Sequence, residues 1–250
     1  MTTTTLEDSA IRAQAARVLH TARAAGRPFR DDDDLAVVWQ ADRGFFTNMA
    51  VVLAEPSDWH DVLGRIEATV PPGRPAILVS PFAVPDLSIN GWDLVGQPPF
   101  MVRPVGPPPP SFRMPAELTI IEAVDQPSLE VFERTLVEGY PEPAMQPYRF
   151  GEFFTTPALG GPLHCFTGFV AGAPVGTAAG HVACGVNLVE MISTLAGARG
   201  RGYGEALTWS ATLVDPTLPA VLFASDLGRP VYERMGYQPV SRWTLWHRPR

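Results

Sequence analysis

A chain of 250 residues with 46% hydrophobic and 18% charged residues is long enough for one large domain or two small ones and can bury a sizeable core. Its formal charge of −7 and its lack of any long basic run exclude a nucleic-acid footprint. One local basic loop in an acidic protein, at Arg199 and Arg201, suits a small anionic ligand better than a polyanion.

The first segment, MTTTTLEDSAIRAQAARVLHTARAAGR, has no apolar signal-peptide core, and no apolar run approaches a membrane span. The expectation is a cytoplasmic protein with no membrane partner. Within that segment, Asp8 to Ala25 reads as a helix, with Ile11, Ala15, Val18 and Ala22 at helical spacing. The aspartates 31–34 form a solvated turn, LAVVWQ and FTNMAVVLA read as strands, and Ser57 can cap a helix running to about Thr69. AILVS is a buried strand, and GWDLVG and FMVRP close this half. The chain has 27 prolines, five of them in PVGPPPPS and four of those consecutive, a run that favours extended polyproline II and marks a boundary. The resulting division is an N-terminal α/β unit at 1–105, a proline-rich linker at 106–113 and a second domain at 114–250.

After the linker, ELTIIEAV is a strand and Gln126 to Gly139 a helix. YPEPAMQP breaks the chain, and YRFGEFFT reads as a short helix. LHCFTGFVA, VGTAAGHVA and NLVEMISTL form a three-stranded meander that ends at ARGRGYGEALT, followed by the amphipathic helix YGEALTWSATLV. AVLFAS is a buried strand, GRPVYERMGY a short helix and SRWTLWHR a last strand. Cys165 and Cys184, in no metal-binding spacing, read as small core residues, and Trp209, Trp243 and Trp246 as packing residues. His181, alone in its strand, reads as structural, with a base as the alternative.

The loop at 199–204 joins a strand to a helix. Glycines ahead of a helix let backbone N–H groups approach an anion, and the positive end of the helix dipole favours it there. Arg199 and Arg201 can add forked bonds to phosphate. No lysine follows the glycines, so the loop is not a Walker A motif, and the spacing of Gly200, Gly202 and Gly204 misses the dinucleotide pattern. The plain alternative is a glycine-rich surface turn with solvated arginines. No G-x-S-x-G occurs to support a hydrolase nucleophile.

Together with the preceding strand and PVYERMGY, this loop resembles the GNAT superfamily of acyl-CoA N-acyltransferases. The family motif R/Q-x-x-G-x-G/A matches Arg199, Gly200, Arg201, Gly202, Tyr203 and Gly204, and a second signature matches Tyr232 to Tyr237. The resemblance covers roughly Glu117 to Arg248 and implies a mixed, mostly antiparallel α/β sheet flanked by helices. It implies that acetyl-CoA is the cosubstrate, with its pyrophosphate on the amides of Gly200 to Glu205. Its pantetheine arm would pair with main-chain groups of Ile192, Ser193 and Thr194, where the sheet splays. Ser225 stands where the family often has asparagine, and Ala196 and Gly197 replace the usual proline and acidic residue. The N-terminal half weakly resembles a degenerate copy of the same fold. That resemblance implies two GNAT-like halves, one of them active; the alternative is an unrelated accessory domain, and either one covers the acceptor site or forms an oligomer contact such as a homodimer.

Amide formation from an amine and a thioester needs a base, oxyanion stabilisation and protonation of the leaving thiolate. By resemblance Tyr232 supplies the last, and the Thr194 N–H is an oxyanion donor. Glu190 shares a strand face with Leu188, Ile192 and Thr194; a carboxylate among such neighbours has a raised pKa, which suits the base, unless it faces solvent. The expected activity is direct acetyl transfer to a primary amine, a small molecule or a peptide, with no metal. A non-catalytic acyl-CoA-binding module is the alternative. The acceptor side falls to Tyr140–Gly161, which holds Glu142, Tyr148 and Glu152.

Overall fold

The computed structural model describes residues 5–44, 46–140 and 142–249. Its first element, α1 (Leu6–Ala24), begins at an N-cap where the Thr5 hydroxyl accepts from the Asp8 N–H, and Glu7 and Asp8 complement the dipole in its first turn. Small residues make it thin: Ala10, Ala13, Ala15 and Ala22 are buried beside Ile11 and Val18. It therefore fits between two sheets and buries most of its circumference.

The chain continues through β1 (Phe29–Asp31), β2 (Leu35–Val38), β3 (Met49–Val52), α2 (Trp59–Thr69), β4 (Ala76–Ser80), β5 (Asp93–Gly96) and β6 (Pro99–Arg103). After the proline-rich segment come β7 (Leu118–Glu122), α3 (Gln126–Gly139), β8 (Leu163–Val170), β9 (Ala173–Ala183) and β10 (Val186–Thr194). The last elements are α4 (Tyr203–Thr212), β11 (Ala220–Phe223), α5 (Arg229–Arg234), β12 (Gln238–Arg242) and β13 (Thr244–Arg248). Two sheets result. One has six strands in the order β1-β2-β3-β4-β13-β5, and the other has seven in the order β12-β6-β11-β10-β9-β8-β7. This is a mixed α/β architecture with mostly antiparallel sheets; the parallel neighbours are β3 with β4 and β10 with β11.

Each sheet contains a strand from the other side of the proline-rich segment. β6 lies between β11 and β12, and β13 lies between β4 and β5. Apart from the added β7, the two orders match strand for strand, with the same directions and with the borrowed strand in the same slot. All five residues of β6 are buried, so its attachment to the second sheet is a core contact.

Several local expectations change. SRWTLWHR is not one strand. Its pattern is continuous, but the chain changes sheets at Trp243, whose fully buried indole packs 5.0 Å from Phe100 and 4.4 Å from Phe223. The α2 cap is Asp58 rather than Ser57: its carboxylate accepts from the His60 N–H at 2.8 Å. Residues 148–155 form turns rather than a helix, because the buried Glu133 carboxylate takes the N–H groups of Gly151, Phe153 and Phe154. Cys184 is exposed in the β9–β10 turn, and only Cys165 is a core residue. Within YPEPAMQP, Pro141 lies outside the described residues.

Candidate active site

The site is organised by the central parallel pair of the seven-stranded sheet. β10 and β11 are in register only at Asn187–Ala220 and Leu188–Val221. Beyond Leu188 the strands diverge, so β10 from Val189 onward has no strand partner on the side of β11. On its other side β10 follows β9, except for a bulge between Glu190 and Ser193 that places Met191 at φ +53°. Ile192 lies in this bulge; Ser193 and Thr194 resume pairing with Thr177 and Gly176. The Ser193 hydroxyl is spent inward, 3.0 Å from that of Thr177.

β10 leads through a turn at Ala196–Ala198 into the glycine loop and α4. Gly202 is the N-cap, at φ +81°, and offers no side chain to the helix start. Gly204 allows the close approach of α4 to the end of β10, since a Cβ there would sit 2.9 Å from the Thr194 hydroxyl. Tyr203 is buried and donates to Glu117 at 2.7 Å, which ties the helix start to the segment before β7. Glu205 lies in the first turn. The result is an uncapped N-terminus, beside the open edge of β10, with amides from Gly200 to Glu205 arranged around two left-handed glycines.

The two loop arginines have different surroundings. Arg199 is tied to the protein: its Nε donates to the Thr194 carbonyl at 3.0 Å and its Nη2 to the Gly139 carbonyl at 3.1 Å. It braces the end of β10 against the end of α3. Arg201 is exposed beside Tyr203 and Glu117. The proline-rich segment passes over the same helix. Arg103 donates to the carbonyls of Pro104, Gly106 and Pro107, and Phe112 packs on Trp209 at 5.7 Å.

Tyr232, on α5, packs in one cluster with Val189, Leu222 and Ala224 from the diverging strands. Burial raises its phenol well above the ordinary range, so it is held neutral. Gly228 lies flat against its ring. Ser225 is exposed, and its hydroxyl accepts from the Gly228 N–H at 3.2 Å, which helps start α5.

Glu190 lies two residues past the last β10–β11 pair and faces α1 on the side of Leu188. The expected common face with Ile192 does not hold, because the bulge turns Ile192 into the cluster of Val189 and Tyr232. Its carboxylate is 2.8 Å from Nε of Arg17, with side-chain exposures of 14% and 2%. The N–H is not aligned on that oxygen, so the attraction is that of two charges rather than a straight hydrogen bond. Burial raises the Glu190 carboxyl, and Arg17 opposes this. His181 is buried beneath α1 with neither ring nitrogen bonded, and burial lowers it to about 3, so it is a neutral core residue.

The segment expected to shape the acceptor side, Tyr140–Gly161, is held by both parts of the chain. Arg43, from the loop after β2, grips Glu152 with two bonds at 2.7 and 3.2 Å and also the carbonyls of Gln146 and Pro147. Tyr140 meets Phe46 edge-on at 5.2 Å. Tyr148 lies under Arg134 at 4.8 Å. Burial pushes the Glu133 carboxyl up to about 7, against three amide donors that favour its charged form. Sequence reading missed Arg17, Arg43 and Glu133. The visible signal for Arg17 was an arginine one turn from Gln14 and from Thr21, both polar residues on the buried face of an alanine-rich helix.

No family model matches the chain, and no curated protein matches its sequence. Among solved structures, the chain is similar to a GCN5-related N-acetyltransferase from Kribbella flavida, with a TM-score of 0.67, 24% identity and 96% of each chain covered. It is similar to a putative GNAT-family acetyltransferase from Novosphingobium aromaticivorans, with a TM-score of 0.59, 14% identity, and 92% and 95% of the two chains covered. A GCN5-related N-acetyltransferase-like protein from Streptococcus suis gives 0.53 at 16% identity, covering 96% of this chain and all of that one. The chain has the GNAT fold.

Proposed function

We propose that this chain is an acyl-CoA-dependent N-acyltransferase that moves an acetyl group from acetyl-CoA to a primary amine. The observation that carries the reading is the juxtaposition of an open β10 edge with an uncapped, glycine-lined helix N-terminus at the end of the same strand. An extended amide-bearing arm suits such an edge, because it can take strand-like main-chain hydrogen bonds. A pyrophosphate suits such a helix start. Coenzyme A has both groups, joined in that order. Arg201, exposed beside the loop, is the arginine available to its charge, while Arg199 serves as a brace.

The roles follow from position. Glu190 takes a proton from the acceptor ammonium, freeing the nitrogen lone pair. That nitrogen bonds to the thioester carbonyl carbon, whose oxygen takes up charge near the main chain at Thr194. The C–S bond then breaks, and Tyr232 gives its proton to the leaving sulfur. The nitrogen passes its second proton to the phenolate, which restores Tyr232, and Glu190 releases the first to solvent. The balance is amide, free CoA and one proton, with no covalent enzyme intermediate. The six-stranded sheet, completed by β13, is in this reading a copy of the same fold whose own site is closed.

The test is release of free CoA from acetyl-CoA across an amine panel. Turnover that falls in Tyr232→Phe and Glu190→Gln supports the enzyme. Stabilisation by acetyl-CoA without acylation of any amine would make the chain a binding module instead.

A further inference from the structure

Glu190 belongs to β10, but the charge beside it comes from the other end of the chain. Arg17 lies on α1, which packs on β2 and β3 of one sheet and on β9 and β10 of the other. A guanidinium that is 2% exposed is a costly residue on a buried helix face made mostly of alanine and aliphatic side chains. A buried ion pair roughly breaks even on stability, and an apolar pair of equal volume is often better. What such a pair does well is fix where a charge sits. The need is local: next to Glu190 the strand bulges, with Met191 at φ +53°, and β11 has already diverged, so the sheet itself does not hold this stretch straight.

We propose that Arg17 is a positioning residue that fixes the Glu190 carboxylate in the cleft, so that the N-terminal unit supplies part of the other sheet's active site. This rests on the reading of Glu190 as the base. The charged and titratable groups around Glu190 are Arg17 and His20 from α1, His181 from β9, Cys165 from β8 and Glu133 from α3. Among the described residues Arg17 alone is within ion-pair distance. His181 is held neutral by burial, and His20 has Nε2 at 2.9 Å from the Ala158 carbonyl. Cys165 is buried and its thiol is pushed up, while Glu133 is occupied by its three amides. Arg17 is therefore the one counter-charge, and it opposes the upward push of burial on the carboxyl.

The experiment compares full-length Arg17→Gln, Arg17→Lys and Glu190→Gln in the CoA-release assay as a function of pH. The double variant Arg17→Met/Glu190→Gln, which buries no unpaired charge, serves as a folding control through stabilisation by acetyl-CoA. In Arg17→Gln the acid limb of kcat/KM should move up by at least one pH unit, giving a roughly tenfold loss below the limb with KM for acetyl-CoA unchanged. In Arg17→Lys the limb should stay near its wild-type position while kcat falls several-fold, because an ammonium on a flexible stem keeps the charge but does not hold it where the buried guanidinium Nε lies, 2.8 Å from the carboxylate. An unmoved limb in folded Arg17→Gln overturns the proposal and leaves Arg17 a packing residue. If that variant does not fold, wild-type kcat in Arg17→Lys overturns it and a several-fold lower kcat supports it. Normal turnover in Glu190→Gln would remove the base reading itself, a distinguishable result.

Discussion

The two central parallel strand pairs have the same place in their sheets and opposite fates. β3 and β4 stay in register through Met49–Ile77, Ala50–Leu78 and Val51–Val79, essentially the whole length of β3, and every residue of both strands is buried. β10 and β11 part after two pairs. The helices that follow differ in the same sense. α2 brings its own anion, the Asp58 carboxylate on the His60 N–H, whereas α4 begins at Gly202 with nothing on it. One topology thus yields a sealed core in one sheet and a cleft ending in a bare helix start in the other. Backbone groups left without strand or cap partners cost stability unless water or a ligand supplies the partners.

The largest expected effect tests whether the sheets are independent at all. Ending the chain after Arg242 removes β13, which pairs with both β4 and β5. Cooperative thermal unfolding should be lost, and binding of acetyl-CoA with it, although the glycine loop is untouched; circular dichroism and a thermal-shift titration check this. Gly202→Asp next gives α4 what α2 has, a carboxylate at the helix start. Acetyl-CoA affinity should fall by at least about 100-fold from charge repulsion and blocked amides, with a stability change of about 1–2 kcal/mol from the left-handed backbone. Isothermal titration paired with urea unfolding separates the two effects. Tyr232→Phe should lower kcat by roughly 100-fold and leave KM for acetyl-CoA alone, as loss of a proton donor does.

A smaller effect is set by pH. The folded Glu133 carboxyl is raised to about 7 from 4.5. An acid held protonated in the fold binds more protons there than in the unfolded chain, so its contribution declines as pH rises from about 4.5 to 7 and is level above. The decline is about 3 kcal/mol at most, and Glu133→Gln should flatten it in urea unfolding across that range. Equal pH slopes in the variant and the wild type would show that the three amides keep the carboxylate charged. The smallest effect is Asp58→Ala, which should cost about 1 kcal/mol in the closed sheet and leave acetyl-CoA binding unchanged.

The glycine loop and PVYERMGY were legible because each is local: the turn, the cap and the helix tyrosine all follow from neighbours in sequence. The ends of α3 were legible for the same reason, with Asp125 and Ser128 forming a reciprocal cap. Sheet membership was not legible. PFMVR and TLWHR read as good strands wherever they are placed, since β propensity says only that a residue fits a half-buried pleat. Their slots are set by contacts of long sequence separation, such as Trp243 against Phe100 and its indole N–H on Glu7 at 2.9 Å. Arg17 was missed on the same ground: its partner is a strand on the far side of the proline-rich segment. What sequence shows poorly here is how one half completes the other.

The borrowed strands also set an order of events during synthesis. β4 and β5 leave the ribosome early, yet the strand that joins them, β13, is made only after the entire seven-stranded sheet has been translated. Until then the first sheet has an open slot with the unpaired edges of β4 on one side and β5 on the other, the kind of edge that recruits foreign strands. β6, by contrast, is ready before its partners β11 and β12 exist. The N-terminal half therefore cannot finish first, as domains usually do. It waits for the last residues of β13, and the two sheets close in one late step that a chaperone or a slow patch of translation could protect.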